Sequence, residues 1–236
     1  MKSYLTKTIA FVLVSLLLSV GIKAQNNKPV HQKAYITNSQ LLWKKAINES
    51  DNDLDRAIAH YGILVSTMAD KDEEAFDQYI DTTIDLLEKL EERKATKAEA
   101  LALKAAVYGL IMAYSPWKGM YYGFKTSNAI EKAMELGPDN PVVLCMKANN
   151  LYYTPENYGG DKQAAVQRFQ QSIEQFESTN TENENWLYLY ALVHLGQSYK
   201  AVGNIEAAIS TYERILEITP DFQYVSQVLL PKTAKK

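Results

Sequence analysis

The chain has 236 residues, and its 25 Lys and Arg against 28 Asp and Glu give a formal net charge of −3. A basic face is typical of proteins that bind DNA or RNA, so this charge balance argues against nucleic acid as a partner. Cys145 is the only cysteine, which excludes an intramolecular disulfide. The length is sufficient for the core of one domain and does not require two.

Residues 1–24 have the features of a secretory signal peptide. Two lysines make the start of the chain positive, and residues 9–20 are apolar apart from two serines. An apolar run of about 12 residues is short of the roughly 20 that span a bilayer, which favours a signal peptide over an uncleaved membrane anchor. We expect cleavage after Ala24, a periplasmic or secreted mature protein of residues 25–236, and no transmembrane segment in that mature chain.

The first half of the mature chain contains segments with helical periodicity of apolar residues. Residues 25–35 are polar, and we expect them to be irregular. A short apolar stripe follows Asn38 and Ser39, which are suited to capping a helix. The acidic residues among 51–53 favour the start of a second helix. Residues 70–72 form a turn before a third helix, whose charged side is expected to face the solvent.

The middle of the chain alternates strong helical segments with Pro and Gly signals. Residues 98–114 are rich in Ala and Leu and predict a long helix that a proline ends. A shorter helix is expected over residues 127–136. The next helix starts at Asn140 and Pro141, which supply an N-cap and a first helical residue. Cys145 lies on its apolar face and is expected to be a small buried hydrophobe rather than a reactive thiol.

The segment from residue 192 to residue 220 combines small and aromatic residues at fixed spacing. The positions are Leu192, Leu195, Gly196, Tyr199, Ala208, Tyr212 and Pro220. Two antiparallel helices approach closely only where small residues lie at their crossing, so we expect Gly196 and Ala208 to face each other. Gly203 and Asn204 form the turn, because both residue types tolerate a positive φ. One such hairpin cannot bury its apolar face alone, so the sequence predicts an all-α solenoid of stacked antiparallel hairpins.

Ala148 and Ala165 repeat the small positions of this pattern more loosely. They lie 17 residues apart, whereas Gly196 and Ala208 lie 12 apart, so five extra residues are expected in the turn of this hairpin. Two glycines in that turn are followed by Asp161, which is suited to capping the next helix.

This spacing resembles that of tetratricopeptide repeats, with Leu192 at a position where the repeat pattern has Trp. Several phrases are also similar to an exported tetratricopeptide family of Bacteroidetes-type bacteria. They are Tyr61-Gly62, Ser115-Pro116, Tyr153-x-Pro155, Gly159-Gly160-Asp161-Lys162, Asn185-Trp186-Leu187-Tyr188 and Leu230-Pro231. The resemblance implies a single tetratricopeptide-like helical solenoid over residues 25–236, a periplasmic or secreted location and no established activity. It assigns no catalytic residue.

No pattern of catalytic or metal-binding residues occurs in the sequence. His31, His60 and His194 are scattered, and none lies in a metal-binding spacing or near the cysteine. No nucleophile–base spacing, phosphate-binding loop or dinucleotide fingerprint is present. We therefore expect no enzymatic activity, no catalytic residue, no metal site and no cofactor.

Two segments rich in aromatic residues lie in the turns of consecutive predicted hairpins, over residues 114–124 and 152–160. Their candidate binding residues are Trp117, Tyr121, Tyr122, Phe124, Tyr153 and Tyr158. Equivalent turns of a solenoid lie along one edge, so we expect the two segments to be neighbours. So much aromatic surface in loops indicates either a small satellite core or a surface that binds a ligand or partner.

These observations support two hypotheses of function. The leading one is an exported, non-catalytic scaffold that binds a protein or peptide in the concave groove of the solenoid. The alternative is a module that binds a glycan or another small ligand through the aromatic segments 114–124 and 152–160. Exposed aromatic side chains would favour ligand binding, whereas buried aromatics beside a polar groove would favour the scaffold.

Overall fold

The computed structural model describes residues 28–234, which form an all-α fold with no strand in that range. The predicted signal peptide of residues 1–24 lies outside the described residues. The α-helices are α1 (Val30–Thr37), α2 (Gln40–Glu49), α3 (Asp53–Ser66), α4 (Glu73–Glu91), α5 (Lys97–Tyr114), α6 (Gly119–Leu136), α7 (Pro141–Tyr153), α8 (Lys162–Ser178), α9 (Leu187–Ala201), α10 (Ile205–Ile218) and α11 (Leu230–Ala234). Within the same range, no helix is long and apolar enough to cross a membrane.

Eight of these helices form four antiparallel hairpins: α3–α4, α5–α6, α7–α8 and α9–α10. The first helices, α3, α5, α7 and α9, pack against one another in chain order and make one layer. The second helices, α4, α6, α8 and α10, make the other layer, and each of the first three also contacts the hairpin that follows it. This arrangement confirms the predicted solenoid of helix hairpins.

Polar side chains start the helices at the positions that the sequence predicts. The side chain of Asn140 accepts hydrogen bonds from the backbone N–H groups of Val142 and Val143, at 2.9 and 3.2 Å. Asp161 accepts from the N–H of Ala164 at 2.9 Å in the same way. The first N–H groups of a helix have no partner within the helix, so these caps stabilise each start by typically about 1 kcal/mol.

The turns inside the hairpins have the predicted difference in length. Residues 154–161 connect α7 to α8, and residues 202–204 connect α9 to α10, so the first turn is longer by five residues. Gly159 and Gly203 have φ values of 91° and 82°. Glycine adopts such left-handed angles without a steric cost, which lets the chain leave one helix and enter the next.

The helix crossing in the α9–α10 hairpin places Tyr212 against Gly196. A Cβ built on Gly196 would lie 2.7 Å from Cζ and 2.9 Å from Cδ1 of Tyr212, and the expected contact of Gly196 with Ala208, one turn before Tyr212, stays a prediction. Tyr212 and Ala208 are both fully buried. The missing side chain at position 196 therefore leaves room for the Tyr212 ring.

The prediction that residues 25–35 are irregular is wrong for residues 30–35, because α1 begins at Val30. Ala34 is completely buried, and the Gln32 side chain donates a hydrogen bond to the backbone oxygen of Asn183 at 2.9 Å. The sequence of α1 has a weak helical pattern by itself. Its helix is stabilised by contacts with the C-terminal part of the chain, which local periodicity does not reveal.

The predicted start of α6 at Ser127 is also wrong, because the helix begins at Gly119. Most of the aromatic segment 114–124 is therefore helical, with a 3-10 turn at Pro116–Lys118 between α5 and α6. Glycine lowers helix propensity, and the two glycines of this first part masked its periodicity. The side that faces α5 is nonetheless continuous, since Tyr122 packs against Tyr108 with ring centroids 5.1 Å apart.

Candidate binding surfaces

Four large apolar side chains are exposed on one side of the 3-10 turn Pro116–Lys118 and the start of α6 that follows it. They are Trp117, Met120, Tyr121 and Phe124, and their exposed fractions range from 60% to 94%. Their spacing of three, one and three residues puts them on a single side of a helix. We call these four residues the apolar stripe. A soluble protein usually buries such a helix face against another element.

The border of the apolar stripe is positively charged. The Nζ atom of Lys118 lies 5.3 Å from the ring centroid of Trp117, and that of Lys125 lies 4.3 Å from the ring centroid of Tyr121. The sequence from residue 100 to residue 130 contains three lysines and no Asp or Glu. The two lysines beside Trp117 and Tyr121 suit the apolar stripe to a neutral or acidic partner.

The sequence named three of the four stripe residues and missed Met120. Tyr122, the fourth predicted residue of the segment, is half-buried and lies against Tyr108 and Tyr121, with centroid separations of 5.1 and 5.0 Å. It anchors α6 to α5 rather than facing the solvent. Met120 lies three residues after Trp117 and four residues before Phe124, which is the spacing of one helix face. This spacing would have predicted Met120 as a stripe residue if the early start of α6 had been predicted.

The second aromatic segment also has exposed rings. Tyr158 is 77% exposed in the 3-10 turn Glu156–Tyr158, and Tyr153 is 61% exposed on the last turn of α7. Within residues 28–234, no ring contact joins either of them to the apolar stripe, so the expected proximity of the two segments stays a prediction. The exposed rings of Trp117 and Tyr158 do not fit a satellite core, which would bury them.

A buried polar contact links three of the first-layer helices. The hydroxyls of Tyr61 on α3 and Tyr190 on α9 lie 3.2 Å apart. The Tyr190 hydroxyl also donates a hydrogen bond to Oδ1 of Asn149 on α7, at 2.6 Å. The first and last hairpins of the solenoid therefore meet through long tyrosine side chains.

The N-terminal helices α1 and α2 pack beside this tyrosine contact. The Tyr35 ring on α1 lies 5.1 Å from that of Trp186 and 5.5 Å from that of Phe222. Before α1, the Nζ atom of Lys28 pairs with Asp221 at 2.5 Å. Trp43 on α2 packs edge-on against Trp186 at 4.9 Å. These contacts fill the base of the inner face with the chain's own aromatic side chains.

His194 lies beside this base. It is 8% exposed, and its ring lies 4.0 Å from that of Tyr190 and 5.8 Å from that of Tyr153. Burial lowers the pKa of His194 to about 3, so the imidazole is neutral at physiological pH. Its Nδ1 lies 2.9 Å from Oε1 of Gln197, which as an amide oxygen only accepts, so Nδ1 carries the proton. Nε2 of His194 is then left as a hydrogen-bond acceptor.

Six tyrosines lie in the region of His194 and Tyr190, and we call them the tyrosine cluster. They are Tyr35, Tyr61, Tyr152, Tyr153, Tyr190 and Tyr224. Burial raises the pKa of Tyr153 to about 12, with smaller contributions from Tyr152 and Tyr224, although the Tyr153 ring is largely exposed. The Tyr153 ring contacts that of Tyr152 at 4.8 Å and that of His194 at 5.8 Å.

A separate cleft lies between α8 and α10. Its volume is about 390 Å³, and its floor includes Ile173 and Leu195. Arg214 pairs with Glu177 across it, and the Tyr188 hydroxyl donates a hydrogen bond to the same carboxylate at 2.7 Å. Both members of the ion pair are partly exposed, so the pair adds little stability. Among residues 28–234, no three His, Cys, Asp or Glu residues come together in a way that could hold a metal ion.

Comparison with protein-family models agrees with the hairpin α9–α10. A family model for the tetratricopeptide repeat matches residues 189–222. No curated protein sequence matches the chain. Among solved structures, the HusA haemophore from Porphyromonas gingivalis is similar, with a TM-score of 0.48 and 16% identity, covering 79% of this chain and 93% of that chain. A likeness at that level carries no conclusion about function. The chain thus carries a tetratricopeptide repeat at residues 189–222, as the last hairpin of a tetratricopeptide-like fold.

Proposed function

We propose that the protein is an exported, non-catalytic scaffold that binds a protein or peptide partner through the apolar stripe. Tetratricopeptide-type solenoids offer extended surfaces for partners. The sequence placed the partner in the concave groove, but the aromatic contacts of Tyr35, Tyr61 and Tyr190 occupy the base of the inner face. The apolar stripe instead leaves four large apolar side chains open to the solvent.

The observation that carries this proposal is the exposure of four large side chains in one row along α6 and the turn before it. Exposed aromatic side chains were expected to favour a small ligand. A row at positions i, i+3, i+4 and i+7 instead matches the way one helix face packs into a groove of a protein partner. An exposed Trp, Tyr or Phe forgoes roughly 1.5–3 kcal/mol that burial of its apolar surface would supply. Tyr, Trp, Phe and Met are also enriched in the buried centre of protein interfaces, where a few residues carry most of the binding energy. The apolar stripe has that composition, and its lysine border favours a partner with carboxylates around its own apolar residues.

Truncation of the apolar stripe tests the proposal. Cross-linking of the mature protein in the native envelope fraction identifies the partner, which is then purified separately and titrated with the mature protein. We expect the double substitution Trp117→Ala and Phe124→Ala to raise Kd at least tenfold, which corresponds to about 1.4 kcal/mol. The melting temperature should stay nearly unchanged, because both side chains are exposed.

Leu136→Ala is a matched control on the same helix. Leu136 is also exposed but lies at the far end of α6, outside the apolar stripe. Its truncation should leave Kd unchanged. A partner that binds the stripe variant as tightly as the parent would refute this site and return the search to the inner face.

A further inference from the structure

Beyond the partner surface on α6, the tyrosine cluster has the features of a second and separate binding site. We propose that it binds an uncharged carbohydrate, with the rings of Tyr153 and Tyr224 as stacking faces and the surrounding hydroxyls as hydrogen-bonding groups. The proposal rests on α1, α7, α9 and the π-helical segment Tyr224–Leu229, none of which carries the apolar stripe.

The first observation is a set of hydroxyls without protein partners in one place. Among residues 28–234, the hydroxyls of Tyr35, Tyr152, Tyr153 and Tyr224 make no hydrogen bond to the protein. Tyr35 and Tyr152 are half-buried, yet their hydroxyls are not among the buried polar atoms that lack a partner, so solvent reaches them. Buried polar groups normally find a partner. The hydrogen-bond partner of these hydroxyls is instead water, or a ligand that replaces water.

The second observation is that these hydroxyls lie close to one another. Tyr153 and Tyr224 both act on the pKa of Tyr35, and Tyr153 also acts on the pKa of Tyr190. Ring contacts connect the cluster through His194: the rings of Tyr152 and Tyr153 on α7 lie 6.4 and 5.8 Å from it, and that of Tyr190 on α9 lies 4.0 Å from it. The Tyr35 ring on α1 lies 6.1 Å from that of Tyr190. Side chains from α1, α7 and α9 therefore come together in one place.

The third observation is that the tyrosine cluster lacks formal charge. The groups that act most strongly on the pKa values of Tyr35, Tyr153 and Tyr190 are other tyrosines and the buried thiol of Cys145. His194 beside them is neutral. A charged ligand would lose its hydration here without gaining an opposite charge, so an uncharged ligand fits better.

An uncharged sugar matches this combination of groups. The C–H groups on one face of a pyranose ring carry a small positive charge and pack on the negative face of an aromatic ring. Tyr153 and Tyr224 present such rings, with 61% and 47% of their surfaces exposed. The sugar hydroxyls both donate and accept, as do the phenol hydroxyls around them, and the free Nε2 of His194 adds one acceptor. Recognition by aromatic faces with a few polar groups is typical of small-ligand sites.

The protein contains its own reporter for this site. The Trp186 ring is buried and lies 5.1 Å from Tyr35 and 5.6 Å from Tyr190. Its indole Nε1 is buried without a hydrogen-bond partner. Occupation of the tyrosine cluster changes the surroundings of both neighbouring rings, so tryptophan fluorescence and calorimetry should report the same Kd.

The mature protein is titrated with four neutral probes: cellohexaose, maltohexaose, mannohexaose and xylohexaose. Hexagalacturonate serves as the anionic comparison. We expect at least one neutral probe to bind with a Kd below about 1 mM. We expect the anionic probe to bind at least tenfold more weakly. The double substitution Tyr153→Ala and Tyr224→Ala should weaken binding at least tenfold, whereas the control Tyr158→Ala should leave it unchanged.

Tyr153→Phe keeps the ring and removes only the hydroxyl, so it tests the site even where the double variant does not fold. It should weaken binding and leave the melting temperature nearly unchanged. The proposal is overturned where none of the four neutral probes binds below that limit, or where hexagalacturonate binds as tightly. It is also overturned where Tyr158→Ala is the variant that loses binding. None of these outcomes depends on whether the apolar stripe binds a protein.

Discussion

The close packing of Tyr212 against Gly196 gives the sharpest test of the fold. A Cβ at position 196 would lie less than 3.0 Å from the Tyr212 ring, and that ring is fully buried between α9 and α10. The ring has no open space to move into, so Gly196→Ala should overpack the crossing. Overpacking of a well-packed core costs about 1–3 kcal/mol.

A second effect of Gly196→Ala has the opposite sign. Glycine in the interior of a helix is less favourable than alanine by up to about 1 kcal/mol. Gly109 lies in the interior of α5, and a Cβ built there meets nothing within 4 Å. Gly109→Ala therefore measures the gain in helix propensity without the overpacking. We expect Gly109→Ala to stabilise the protein by about 0.5–1 kcal/mol and Gly196→Ala to destabilise it by about 1 kcal/mol.

Urea unfolding, followed by circular dichroism, gives the free energy of unfolding for both variants. The difference between them, about 1.5–2 kcal/mol, isolates the contact with Tyr212. A shorter residue at position 212 should remove that difference, so Gly196→Ala and Tyr212→Leu should be strongly coupled in a double-mutant cycle. The reasoning fails if Gly196→Ala is as stabilising as Gly109→Ala, since the ring would then have room to shift.

The remaining predictions concern a thiol, a histidine and the N-terminus. Cys145 is completely buried and burial raises the pKa of its thiol, so Ellman's reagent should label it only in urea; rapid labelling of the folded protein would contradict its burial. Burial lowers the pKa of His194 from 6.5 to about 3, so between these values the unfolded chain binds a proton that the folded chain does not. The free energy of unfolding should therefore fall with pH below 6.5, by up to about 1.4 kcal/mol per pH unit, and His194→Gln should flatten this dependence in urea melts from pH 7 to pH 4.5. Mass spectrometry of the exported protein should find Gln25 at its N-terminus; a mature chain that retains Met1 would refute cleavage after Ala24.

Much of the fold could be predicted from local patterns. The caps at Asn140 and Asp161, the glycine turn at Gly203 and the five extra residues in the α7–α8 turn follow from neighbouring residues and depend on little else. Helix starts and tight turns satisfy their own backbone groups, so a short stretch of sequence contains the physical information for them. The repeat at residues 189–222 belongs to the same class, since its spacing reflects contacts within one hairpin.

The candidate sites were predictable in part. Six aromatic residues were named from composition, and five of them have largely exposed rings. Met120 was missed because glycines hid the first turns of α6, and His194 was assigned to no site. The tyrosine cluster had no sequence signal, since Tyr35 lies in a segment that was expected to be irregular. Its members come from helices that are far apart in the chain, and their spacing carries no period.

The sequence by itself therefore determined the hairpins, their caps and the tetratricopeptide pattern. Only the tertiary structure decided how the ends of the chain meet: Tyr61 contacts Tyr190 across 129 positions, and Lys28 pairs with Asp221 across 193. Contacts at such separations depend on the curvature that accumulates over all four hairpins. A periodic pattern describes each hairpin but not the sum of the small rotations between them. The inner face with its tyrosine cluster is a product of that sum.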